Sequence, residues 1–227
     1  MFVAHFAVGF AAKRFAPKVS LCALILAAAF SDLLWIVFFV AGIEQVVIQP
    51  GIMVANSLNL VYIPFSHSLL MDIVWGALFA GVYILLRHDL RGAWILFIAV
   101  VSHWVLDVAT HRPDMPLAPG IEARFGLGLW NSRPATFIVE GALWVAAIAL
   151  YARGTRPRSR AGVYAFWTMI VLLTALWLLS LGGDPPPSLI ALAISNVICL
   201  HCPIVKLPET LRALAWSWWR PRHAGKP

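Results

Sequence analysis

His103, Asp107 and His111 follow one another at four-residue intervals at the end of an apolar run, 93–102. On an α-helix, positions i, i+4 and i+8 climb one face, roughly 6 Å from one to the next. Imidazole and carboxylate are ordinary ligands of Zn²⁺ and similar divalent ions, and a catalytic site takes three protein ligands plus water. An ion so held lowers the pKa of water towards 7, supplying a nucleophile where lipid excludes ionised ones. Without an ion, the same groups can relay protons. Ionisable side chains inside a membrane span are expensive and mark a functional site by default.

Other stretches offer partners for that face. Asp32 stands in Ser31-Asp32, His67 in Ser66-His67-Ser68, Asp72 one turn further on, and Glu140 in a later apolar run. Asp32, His67, His103 and Asp107 are the expected metal ligands. His111 is either a further ligand or a helix-end residue at the water boundary. Glu140 and Asp72 are the candidates for a carboxylate that shuttles protons or holds a liganding histidine, though Asp72 equally suits a hydrogen bond between helices. Ser66 and Ser68 can donate to an oxyanion or cap a helix entry. Cys199, His201 and Cys202 lack a fourth partner and read as ordinary membrane residues.

The elements that must position these groups follow from composition. Of 227 residues, 61% are hydrophobic and 12% charged, against roughly 45–50% and 25% in a soluble domain. Mean hydropathy is +0.84. The apolar runs are continuous rather than alternating, which excludes a β-barrel. A span needs about 20 residues, and the runs predict an all-α, polytopic helical bundle forming one integral membrane domain over 1–227. Six spans are expected, at about 19–42, 65–86, 92–110, 134–151, 161–181 and 188–205. A short entering or interfacial helix precedes them, and an interfacial tail at 206–227 follows. The net charge of +7 is divided among short connections, so no single basic face exists for nucleic acid. Three cysteines in apolar runs make no disulfide framework.

Charge asymmetry orients the bundle. With the N-terminus cytoplasmic, 14 of the 17 Lys and Arg residues fall in inside segments, and Arg112, Arg124 and Arg133 fall outside. That bias fits the positive-inside rule and places both termini in the cytoplasm. At ~1.5 Å per residue, Asp32 lies about 20 Å above the inner charges of its span. His67, Asp72, His103, Asp107 and Glu140 fall in the same outward-facing half.

The order His5…Asp32…Ser66-His67-Ser68…His103-x-x-x-Asp107 resembles a bacterial inner-membrane family labelled predicted membrane-bound metal-dependent hydrolases. His111-Arg-Pro-Asp-Met-Pro-Leu, with Gly126-Leu-Gly-Leu-Trp-Asn131 and Glu140, resembles one branch of it. The resemblance covers about residues 1–145 and implies a metal-ligand role for His5. It departs where the family commonly reads Pro-Asp-x-Asp and this chain reads Ser31-Asp32-Leu33-Leu34. Ile63-Pro64-Phe65 likewise replaces a usual His-Arg, so two ligands of a two-metal site are missing. The expectation is a hydrolase with one divalent ion, zinc in the first instance. It would cut an ester, amide or phosphoester of a membrane lipid or lipid-linked substrate in the outer-leaflet half. The alternatives are a metal-ion or proton-coupled transporter using the same cluster, and a scaffold with polar helix–helix contacts. Neither an inverted repeat nor paired Gly/Pro-broken spans supports transport. The sequence leaves the oligomeric state open.

Overall fold

A computed structural model describes residues 2–157, 159–182, Ser188 and 219–221. The expected sixth span, the Cys199–Cys202 stretch and most of the tail lie outside the described residues. Seven α-helices dominate: α1 Phe2–Ala12, α2 Leu21–Ala28, α3 Phe30–Val40, α4 Leu69–Arg87, α5 Leu90–Thr110, α6 Arg133–Gly154 and α7 Arg160–Gly182. Four of them, α4 to α7, are long and apolar enough to cross a membrane, and α2 with α3 makes a fifth if the bent pair counts as one span.

Side chains set the helix ends. Ser68, Asp89 and Ser132 cap α4, α5 and α6 by accepting from Met71, Gly92 and Ala135 backbone N–H groups, each answering a donor the first turn leaves unpaired. His88 takes a left-handed conformation, φ 52°, at the end of α4, which turns the chain straight into α5. Ser66 and His67 therefore lie in a turn before α4, not inside the helix expected from residue 65.

Two other expectations need correction, and the connections add strands of their own. The first span is not straight: α2 and α3 meet at 56° across Ala29, with no proline or glycine to announce the break. The N-terminal helix is not interfacial. It is packed into the bundle against α2, α5 and α6, with Val3 and Phe10 fully buried. Phe10 meets Trp144, Tyr151 and Phe166 edge-on at centroid distances of 5.5, 5.2 and 6.0 Å, contacts worth about 0.5–1.5 kcal/mol each beyond their burial. Gly9 permits the approach to α2, because a Cβ there would stand 2.9 Å from the Ile25 Cα. Finally, the connections are structured. Strands β1 Gln45–Ile48 and β2 Leu58–Tyr62 form an antiparallel hairpin, and β3 Met115–Pro116 pairs with β4 Arg124–Phe125. These segments share a small core of Trp35, Val46, Leu60, Ile63 and Met115, which forms a cap at one end of the bundle. In the tail, 219–221 is a strand, β6, paired with β5 at 155–157.

Candidate metal centre

Helix α5 supplies the platform. His103 and Asp107 are both buried on one of its faces, with His103 Nε2 3.2 Å from Asp107 Oδ2. Around them three separate elements deliver further ligand-type atoms. From α1, His5 Nε2 comes to 3.1 Å from Asp107 Oδ1, and its ring stacks on His103 at 3.8 Å and 7°. From the turn before α4, His67 Nε2 lies 3.6 Å from Asp32 Oδ1 and 3.9 Å from Asp107 Oδ2. From α3, Asp32 Oδ1 lies 3.7 Å from His103 Nε2. Two overlapping triads result, His5–His103–Asp107 and Asp32–His67–His103, each with its donor atoms within 4.8 Å of one another.

The break at Ala29 builds two features of this cluster. The last carbonyls of a helix have no partner within it, and the Ala28 carbonyl, at the end of α2, accepts from His103 Nδ1 at 2.9 Å. That contact places a proton on Nδ1, and in the neutral ring it leaves Nε2 as a lone pair. The break also starts α3 at Phe30, so Asp32 sits in its first turn, where the helix dipole favours negative charge.

The donor set fits a divalent ion. His103 Nε2 is buried with no hydrogen-bond partner, although two carboxylates approach it within 3.7 Å. In the neutral ring an unsatisfied buried acceptor would cost about 1–3 kcal/mol, and a cation among the three imidazoles and two carboxylates would remove that cost. Asp32, with its side chain 34% exposed, is the open member of an otherwise enclosed group.

The remaining expected site residues divide differently. Asp72 is fully buried and accepts from Ser31 Oγ at 2.7 Å and from the Trp104 backbone N–H at 3.2 Å. Those donors are the chain neighbours of Asp32 and His103, so Asp72 clamps α3 to α5 one layer behind the cluster. Ser66 and Ser68 have no hydroxyl to offer an oxyanion. Ser68 Oγ donates to the Pro64 carbonyl at 2.6 Å besides capping α4, and Ser66 Oγ bonds Glu44 Oε2 at 2.6 Å and His67 Nδ1 at 2.7 Å.

His111 is not brought into either triad. Eight residues at roughly 100° each leave it about 80° round the helix from His103, and α5 has ended at Thr110. It stands 3.3 Å from Asp114 and its ring lies 4.5 Å from that of Trp130. Glu140, on α6, accepts from Trp130 Nε1 at 3.3 Å, and its Oε2 is buried without a hydrogen-bond partner.

Sequence reasoning overlooked Glu44, which is 1% exposed and accepts three hydrogen bonds from the Phe65–Ser66 turn. A signal for its placement existed in Gly42. That residue, at φ 72°, ends α3 in a Schellman motif, with Gly42 N–H on Phe39 O and Ile43 N–H on Phe38 O. The motif turns the chain back so that residue 44 meets the turn before α4.

Apolar helices enclosing a buried His/Asp cluster define a multi-pass membrane protein with a candidate cation centre. The chain belongs to the family described as YdjM inner membrane protein, whose model matches residues 1–182, α1 through α7. No curated protein and no solved structure matches the chain.

Proposed function

We propose that this protein is a membrane-embedded hydrolase with one divalent ion, zinc in the first instance, acting on an ester, amide or phosphoester of a lipid or lipid-linked molecule. The observation that carries the reading is the convergence of His5, Asp32, His67, His103 and Asp107, with one partly exposed side at Asp32. Three or four of these atoms suffice to hold an ion and leave a position open, the pattern of catalytic rather than structural sites. Such an ion supplies Lewis acidity and activation of water at neutral pH. The chain's own groups do the rest. Ala28 and Ser66 fix the outer nitrogens of His103 and His67, and the apolar bundle limits water to the Asp32 side. Glu140, buried on α6 beside Trp130, is the carboxylate that takes and returns a proton.

The distribution of arginine and lysine supports a site in the outer half with the termini inside, and the pairing of 219–221 with 155–157 brings two of the inside segments together. Among the described residues the buried ionisable groups converge on one point rather than forming a file through the bundle, which favours hydrolysis over transport. The test is metal analysis of detergent-purified protein, followed by hydrolysis of a lipid panel and ion flux in liposomes. Stoichiometric zinc with turnover is expected; zinc with flux and no turnover would replace this reading by transport. Glu140→Gln should retain zinc and lose turnover, because a carboxamide cannot take up a proton at neutral pH. Full activity in that variant would remove Glu140 from the reaction.

A further inference from the structure

Glu44 lies outside the cluster, yet its hydrogen bonds have a direction that reaches it. Glu44 Oε1 accepts from the backbone N–H groups of Phe65 and Ser66, both at 2.8 Å. Oε2 accepts from Ser66 Oγ at 2.6 Å. A carboxylate has acceptors only, so the Ser66 hydroxyl proton must point at Glu44. The same oxygen, 2.7 Å from His67 Nδ1, is then left only lone pairs to offer the ring. Neutral imidazole carries one proton, and the Nδ1–H of His67 must donate to Ser66. Nε2, the atom facing Asp32 and Asp107, is thereby deprotonated and aimed.

We propose that Glu44 is a positioning residue that sets the polarity of the Glu44–Ser66–His67 chain and so holds His67 in its metal-competent tautomer. All three residues are buried, at 1%, 0% and 6% exposure, so no bulk water competes for these bonds. Ser66 is thus a relay rather than an oxyanion donor. The inference rests on the metal reading above for its purpose, but not for its geometry.

That polarity makes an unusual prediction for the most conservative variant. In Glu44→Gln the amide oxygen must take the Oε1 place, because two backbone N–H groups point there. The NH₂ is then forced towards Ser66 Oγ as a donor, and the Ser66 proton turns to His67 Nδ1. The ring proton moves to Nε2, the metal-facing atom. In Ser66→Ala the chain is simply cut, while Glu44 keeps both backbone bonds and the turn keeps its shape.

The experiment uses the full-length protein in detergent, with ¹⁵N-labelled histidine in the metal-free state and Zn²⁺ titration alongside. Wild type should show His67 protonated on Nδ1, Glu44→Gln on Nε2, and Ser66→Ala a mixture. Zinc affinity should fall in that same order of disturbance: within about 10–100-fold for Ser66→Ala, the usual range for outer partners of a ligand, and further for Glu44→Gln. Unchanged tautomer in Glu44→Gln, or Ser66→Ala losing more zinc affinity than Glu44→Gln, overturns the proposal. Should Glu44→Gln not fold, Ser66→Ala decides: wild-type affinity with unchanged tautomer overturns it. If wild type binds no zinc, the metal reading falls, and the metal-free tautomers still judge the relay on their own.

Discussion

Helix α5 and the loop after it carry two His–Asp pairs, and among the described residues only one of them sits within a wider group of ligand-type side chains. In the deep pair, His103 and Asp107 face imidazoles from α1 and the turn before α4, and a second carboxylate from α3. In the cap pair, His111 and Asp114 face Arg112, whose Nε donates to Asp114 Oδ2 at 3.2 Å while its Nη2 reaches Asn59 at 2.7 Å. A guanidinium already supplies the positive charge there and ties the cap's strands together. The residue types and spacing are nearly the same in the two places. What separates them is whether the neighbouring elements bring more ligands or bring a cation.

The comparison can be broken most directly at His103. His103→Ala should abolish stoichiometric zinc, a loss beyond about 100-fold because an inner ligand costs more than the 10–100-fold typical of outer partners. Metal analysis and titration would measure it, with circular dichroism confirming that the helices persist. Retained zinc would leave the deep pair no different from the cap pair. Next in size is Asp72→Ala, which removes the clamp on Ser31 and Trp104. It should weaken zinc about 10–100-fold without removing it, and an unchanged affinity would reduce Asp72 to a plain helix–helix contact. Smallest is His111→Ala, whose zinc affinity should stay within about twofold of wild type. A fall to the level of His103→Ala would merge the two clusters into one site. Asp114→Ala should also spare zinc while lowering stability by about 1.5–3 kcal/mol, the usual worth of a hydrogen bond to a charged group.

The deep pair was legible because a four-residue spacing inside an apolar run carries its own geometry. Membrane helices were legible from composition for the same reason, since apolar length is a local property. Of the two readings of His111, the structure matches the helix-end one, because the four-residue rule does not extend to a second step. Eight residues drift off the face, and the helix had already ended. The break at Ala29 was invisible among alanines and leucines, because no proline or glycine marks it. Glu44 was missed because its importance comes entirely from contacts 21 and 22 residues away. Nothing in Gly42-Ile43-Glu44 names its partners. His5 entered through resemblance, and its contact with Asp107 spans 102 residues.

That last separation gives the centre a clock. During synthesis at roughly 5–20 residues per second, Asp107 leaves the ribosome about 5–20 seconds after His5. Glu140 and the α6 aromatics that receive Phe10 follow later still. For that interval α1 has no bundle to enter, and its apolar residues must wait at the translocation machinery or the lipid surface. Helix α1 therefore precedes by about a hundred residues the group that His5 bonds, and the His/Asp cluster closes only once α5 and α6 have arrived to take it in.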